Sequence, residues 1–297
     1  MNLFVTLIQQ VINGLSLGSV YALIAVGYSL VYSVLLFSNF AHGGFLVIGG
    51  YICYYALLKL KLDIWTASLA ALVGAGVSAI VVERLAYKPL RQAPSLAVLI
   101  TAIGVSYFLQ NSALLLWTSN PKIFPSVVGK GTLKFFGGQL SISYVTIVTV
   151  VTCVVIMLAL TWFTGRTRMG KAMRACSEDK GAAQLMGINV DATISMTFAI
   201  GSGLAAVAGA LLCSAYPTLM PTTGSMPGIK AFTAAVFGGI GSIPGALFGG
   251  LLLGVIEIFA KAYISTQLSD AVVFAVLIVV LLVKPAGLLG VQVQEKV

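Results

Sequence analysis

Charge is what this sequence lacks. Only 8% of its 297 residues are Asp, Glu, Lys or Arg, 59% are apolar, and there is a single histidine. An average soluble domain carries about 25% charged residues, and a soluble chain of this length could not cover its surface with so few. Lipid must do the covering, so the chain reads as a polytopic membrane protein. It forms one domain over 1–297, with no water-soluble module long enough to fold alone. Acids are scarcest: eight against seventeen Lys and Arg, a formal net charge of +9. That excess does not read as a nucleic-acid surface, because the basic residues are scattered over short connecting segments and not gathered on one polar face. Cys53, Cys153, Cys176 and Cys213 lack metal-ligand spacing, and no segment outside the apolar runs holds two. They read as small core residues, with no metal site or disulfide framework expected. The first basic residue is Lys59. The basic n-region of a cleavable signal peptide is therefore missing, and the first apolar run is expected to be a retained span.

What is present is a succession of apolar runs. About 20 such residues cross the hydrocarbon core as a helix, and the candidates are 4–34, 36–58, 64–87, 96–117, 142–163, 192–215, 243–264 and 271–283. The segment 228–241 is short and reads as a half-helix or a tilted crossing. The expected fold is an all-α polytopic membrane bundle of eight or nine transmembrane segments, some short or broken. Orientation comes from the arginines, which lie only at Arg84 and Arg91 and at Arg166, Arg168 and Arg174. Placing both groups in the cytoplasm puts the loop 118–141 and the N-terminus outside, although Lys122, Lys130 and Lys134 in that loop run against the rule. Nine crossings then leave the C-terminus, with Lys284 and Lys296, inside. Within the outer loop, turn signals at Asn120-Pro121, Gly129-Lys-Gly131 and Gly137-Gly138 frame a small hairpin, 132–136 against 139–142. It is either a lid or a surface for an external partner.

Two glycine-rich interruptions stand out. Gly238, Gly239, Gly241, Pro244, Gly245 and Gly249 fall within one stretch, and Gly241, Gly245 and Gly249 repeat every four residues. Such a stretch serves close helix packing or a broken helix beside a substrate path. Earlier, Asn39 and His42 lie between the first two spans; Ser38 or Asn39 suits a helix cap, and direct substrate contact is the alternative. Catalytic groupings do not emerge: there is no H-E-x-x-H and no paired acid within a span. Glu257 and Lys261, one helical turn apart, read as a snorkelling pair near a membrane surface, and the membrane midplane is expected to be free of charge.

The island 165–188 is the exception to the oiliness, with five of the seventeen basic residues and two of the eight acids. Gly165-Arg-Thr-Arg-Met-Gly170-Lys171-Ala172 matches a phosphate-loop spacing but ends in Ala172, which cannot hold magnesium. A short helix is expected over 177–187, with Ser177 as N-cap, Glu178 and Asp179 at its positive end and Gly187 just past its end. Ala182, Ala183, Leu185 and Met186 would give it an apolar surface. So short a helix needs something to lie on.

Gly181-Ala-Ala-Gln-Leu-Met-Gly187 resembles the E-A-A-x-x-x-G cytoplasmic signature of ABC-importer permeases, with Gly181 in place of the acid and no downstream Ile and Leu-Pro. That departure fits the branched-chain amino acid permeases, which the chain resembles over nearly its whole length. The likeness rests on Asn39-Phe-Ala-His-Gly43, on Arg174-Ala175 and Asp179 ahead of Ala182-Ala183 and Met186-Gly-Ile188, and on Lys230-Ala-Phe with Gly238-Gly-Ile-Gly-Ser-Ile-Pro-Gly245. The resemblance implies a permease subunit of a high-affinity importer for leucine, isoleucine, valine and similar amino acids in a bacterial inner membrane. It would itself be no enzyme and need no cofactor. It would pair with a second, related permease, two cytoplasmic ATPases and a periplasmic amino-acid-binding protein. The coupling loop would be 165–190, with Arg174, Ser177, Glu178, Asp179, Ala182, Ala183, Leu185, Met186 and Gly187 in the ATPase-coupling helix. Asn39, His42, Gly238, Gly239, Gly241, Pro244 and Gly245 are the candidate translocation path. An importer of another small polar solute, such as urea or a short amide, and an ion-coupled carrier remain as alternatives.

Overall fold

The computed structural model describes residues 3–35, 37–91, 93–129, 131–135 and 139–290. Lys130, Phe136, Gly137, Gly138 and Lys296, used above to read the loops, lie outside them. Helices dominate: α1 (Leu3–Leu35), α2 (His42–Leu58), α3 (Ile64–Val82), α4 (Ser95–Trp117), α5 (Tyr144–Arg166), α6 (Arg168–Glu178), α7 (Lys180–Leu185), α8 (Val190–Ala215), α9 (Ser225–Gly238), α10 (Ile243–Tyr263) and α11 (Ser269–Val283). Six are long and apolar enough to cross a membrane, and α2 and α11 are shorter apolar helices. The second helix starts at His42, not at 36, because residues 37–41 are not helical.

Glycine sets the packing. In lipid, helices gain little from burying apolar side chains on one another, so association depends on close backbone approach. α1 and α10 run antiparallel in such contact. A Cβ on Gly14 would lie 2.7 Å from Val255 Cα, one on Gly18 2.8 Å from Leu251 Cα, and side chains at Gly250 and Gly254 would collide with Ala22 and Gly18. The other edge of α10 seats α9, with Gly249 and Gly245 against Ala234 and Gly238. The four-residue repeat is thus real only in part: Gly241 has φ +88° and precedes the helix. Pro244 does not break a helix either. It sits in the first turn of α10, where its missing N–H costs nothing, behind Ser242, whose hydroxyl accepts from Gly245 N.

The ends of the bundle differ. At one end lie four short strands, β1 (Lys122–Ile123), β2 (Thr132–Phe135), β3 (Leu140–Ser143) and β4 (Thr218–Leu219). β2 pairs antiparallel with β3, Thr132 opposite Ser143 and Phe135 opposite Leu140, as the turn signals predict. β1 pairs with β4, tying the loop after α4 to the end of α8. The Gln9 side chain near the start of α1 bonds the backbone of Ser141 in both directions. At the opposite end lies the polar island of α6 and α7. There too Gly241 and Pro244 share a cavity with Arg174 and Ser177, and Leu288 N and Leu289 N donate to Phe237 O and Gly238 O. The stretch 216–238 therefore runs from β4 at the strand end to the island end, in two parts: an irregular segment, then α9.

α3 does not end at Val82 but widens into a π-turn over Glu83–Tyr87 and a tight turn over Lys88–Leu90. Pro89 explains the change of pitch, since it removes an N–H and its ring clashes with an α-helical carbonyl.

The glycine seam gives a direct test. Gly250→Leu forces a side chain into the α1 backbone, where overpacking costs about 1–3 kcal/mol or more. The chain should then fail to accumulate in membranes. Gly104→Ala, with nothing within 4 Å of the added methyl, should accumulate like the unaltered chain when both are quantified by immunoblot.

Candidate functional site

A cavity of about 220 Å³ opens between the first turns of α2, the middle of α4 and the first turns of α9. It exists because two backbones nearly touch beneath it: Gly224 and Gly43 leave no room for a side chain, and a Cβ on Gly228 would lie 3.1 Å from Gly43 Cα. Tyr28, Ser106, Gln110 and Ser225 supply its polar lining, among Phe40, Val47, Ile103 and Ile229. α4 is anchored by only one stripe, Val98, Ala102, Leu109 and Ala113. Its mid-helix polar side chains consequently face away from the core; Tyr107 is 64% exposed, and the exposed Asn111 satisfies its amide on Tyr107 O at 2.8 Å. Polar groups at such a depth belong against another protein or a water-filled path, not against lipid.

The residues nominated from sequence divide around this cavity. Asn39 and His42 are buried beside it without lining it. Asn39 Oδ1 accepts from Ala41 N at 3.2 Å and from the Tyr87 hydroxyl at 2.7 Å; the N-cap of α2 is Ala41, without a side-chain cap, so Asn39 shapes the turn ahead of the helix and does not cap it. The His42 ring packs on Tyr28, centroids 4.6 Å apart. Their neighbours Gly43 and Gly44 line the cavity instead. Gly238, Gly239, Gly241, Pro244 and Gly245 form the turn between α9 and α10 at the island end, with Gly239 at φ +113°. Gly241 and Pro244 line a different cavity, of about 270 Å³, with Arg174 and Ser177. The structure brings them to the island and not to the groove.

Glu257 and Lys261 do pair across one helical turn, but Glu257 is buried and not at a surface. Glu257 is 0% exposed and accepts from Tyr21 Oη at 2.9 Å, Lys230 Nζ at 2.8 Å and Lys261 Nζ at 2.5 Å. Lys230, 5% exposed, also reaches Asp270 at 2.6 Å. Sequence reasoning missed Lys230, although an ionisable residue inside a short apolar segment is itself the signal. It also missed the cluster at the bend of α3, where the buried Glu83 pairs with Arg91, Ser195 Oγ donates to Glu83 at 2.7 Å, and Asp191 takes Arg91 and Lys88. That cluster joins the bend to the first turn of α8.

The island is two helices. Thr167 caps α6 by accepting from Gly170 N at 3.0 Å, and Gly170 is required because any side chain there would strike Phe163 O. Ser177 is not an N-cap; it lies in the last turn of α6 and donates to Arg174 O. Asp179 is the cap of α7, its carboxylate accepting from Gly181 N and Ala182 N at 2.7 and 3.0 Å, and Glu178 ends α6. Gly187, at φ +82°, ends the second helix as expected. Partial burial and the nearby Arg91 charge hold the Lys180 ammonium below the usual lysine range. Ala183 turns inward, 4% exposed, and seats α7, whereas Leu185 and Met186 stand 90% and 83% exposed at the tip. Arg174 braces α6 by donating to Gly165 O at 3.1 Å.

The sequence pattern of the family "Branched-chain amino acid transport system / permease component" matches residues 10–281. The chain belongs to this family. Among its relatives, the high-affinity branched-chain amino acid transport system permease protein LivH of Escherichia coli K12 is 47% identical, over 99% of both chains. The corresponding permease protein BraD of Pseudomonas aeruginosa is 45% identical over 98% of both. A probable branched-chain amino acid transport permease of Methanocaldococcus jannaschii is 31% identical over 91% of this chain and 88% of its own.

Labelling separates a wet groove from a lipid-facing one. In the assembled transporter, Gln110→Cys should react with a small water-soluble thiosulfonate reagent, and Leu158→Cys, exposed on α5, should not. Equal protection of both would show that the groove is not a water path.

Proposed function

We propose that this chain is the membrane permease subunit of an ATP-driven importer and forms half of the translocation path for leucine, isoleucine, valine and similar amino acids. The observation that carries this reading is the 47% identity with the LivH permease over 99% of both chains. The geometry supports it. The groove of α2, α4 and α9 is a half-channel, open on the side where a second, related permease would complete it. The island end carries Leu185 and Met186, two large apolar side chains that stand exposed among the described residues. Such side chains are what a soluble ATPase would grip. The subunit is a transport component, with ATP hydrolysis on two partner ATPases and delivery by a periplasmic binding protein at the strand end.

On this reading the island end is cytoplasmic, because all five arginines lie there, and the N-terminus is outside. The irregular segment at 216–224 and α9 together make one crossing, which gives nine crossings and a cytoplasmic C-terminus. Closure of the ATPases would press on α7. α6 would transmit the displacement to Gly241 and Pro244, at the start of α10, through the cavity it shares with them, and from α10 to α9 at the groove. Small helix shifts between two packings suffice for such a device. Substrate choice would rest largely with the binding protein, since none of the described residues lining the groove is charged.

Reconstitution of the full complex in vesicles tests this. Leucine uptake should require both ATP and the binding protein and should be competed by isoleucine and valine. Uptake by this chain alone on an ion gradient would contradict it, as would uptake that the other two amino acids do not compete. Met186→Asp should lower uptake roughly tenfold or more, as loss of a central apolar contact does, with unchanged amounts of chain in the membrane.

A further inference from the structure

We propose that Lys230 is a positioning residue: its ties to Glu257 and Asp270 hold the half-helix α9 in the register that shapes the groove, and so couple substrate movement to ATP turnover. The inference rests on the transport reading above.

α9 has 14 residues and few large side chains with which to fix itself. Its end is held by backbone contacts, Gly238 against Gly245 and Leu288 and Leu289 bonded to Phe237 O and Gly238 O. Its beginning meets α2 at Gly224, Gly228 and Gly43, with Val47 beside Gly224, and Phe232 packs on Tyr28 and Phe40; these apolar contacts carry no directional bond. Between these two ends Lys230 supplies a directional hydrogen bond and a second ion pair. It reaches Glu257 on α10 at 2.8 Å and Asp270 at the start of α11 at 2.6 Å, and Tyr21 of α1 closes the set on the second oxygen of Glu257. Four helices meet in one group. The residue before it, Ile229, lines the groove, as do Gly228 and Ser225, whereas Lys230 does not.

Physical chemistry argues that the group is kept for specificity. With Lys261 included, two ammonium groups face two carboxylates, so the cluster is neutral and can be buried. Even so, desolvation offsets much of the attraction, and apolar residues of similar size often replace such clusters without loss of stability. A non-directional apolar contact would let α9 slide or turn on its glycine seat. Two fixed carboxylates on two different helices do not. Neither Lys230 nor the carboxylates it reaches line the groove, so it is not placed as a grip on a substrate carboxylate.

The experiment uses the complete reconstituted transporter and reads leucine uptake, its KM, and ATP hydrolysed per leucine. Lys230→Met should lower the maximal uptake rate roughly tenfold, since breaking a buried pair is costly. KM should change little, ATP hydrolysis should persist, and more ATP should be spent per leucine. Lys230→Arg should restore most of the rate. Lys230→Met combined with Glu257→Met removes both buried charges and controls for insertion: it should restore the amount of chain but not the coupling. The proposal is overturned by normal coupling in Lys230→Met. It is overturned equally if the double variant regains full coupling, because the tie would then serve only to neutralise charge. If the unaltered complex takes up no leucine, the functional reading fails instead.

Discussion

The contact on which the rest of this molecule leans is that of two backbones, α1 and α10, brought together through Gly14, Gly18, Gly250 and Gly254. Within lipid, close approach replaces the hydrophobic effect as the organising force, and only residues without side chains permit it. α10 is thereby fixed, and its other edge seats α9 through Gly245 and Gly249. The tip of α9 reaches Gly43 of α2 and closes the floor of the groove. A single chain of close contacts thus runs from the scaffold to the cavity. The Glu257 group lies along the same route, with its carboxylate on α10 and its principal cation on α9.

The distribution of burial follows from this arrangement. α1 and α8 are enclosed by neighbours, whereas α4 and α5 are buried along one narrow stripe each. An apolar exposed face suits lipid, and most of α5 is of that kind. The exposed face of α4 is apolar too except at mid-helix, where Asn111 stands beside the groove residues Ser106, Tyr107 and Gln110. That local breach of the lipid rule marks the proposed path wall. At the island end a different breach occurs: Leu185 and Met186 are bare in a segment too polar for lipid. On the proposed reading, each breach is the face of a missing subunit.

Much of the fold was legible in the sequence because it follows from local rules. Apolar run length located the long helices to within a few residues, and Gly129 and Gly131 framed the β2–β3 hairpin. The positive φ of Gly187 was equally local. What escaped was long-range. Nothing in the spacing of Lys230 and Glu257 announces a pair 27 residues apart, and Glu83 meets Ser195 across 112. The Ser177 cap failed because α6 continues through it, leaving Asp179 to start the next turn. The stretch around Pro244 was read as serving either close packing or a broken helix, and Pro244 instead starts α10. The glycines of 238–245 were grouped with Asn39 as one path, because the sequence shows flexibility without showing which end of the bundle carries it.

Sidedness of the α7 tip is the most direct test of the whole scheme. A cysteine placed at Met186 can be challenged with a membrane-impermeant maleimide in right-side-out and inverted vesicles, since the four native cysteines are buried. Labelling in inverted vesicles, and its protection when the partner ATPase is bound, is the expected result. Labelling only in right-side-out vesicles would place the island outside the cell, beyond the reach of any ATP-driven partner, and would contradict the assignment of this chain's two ends.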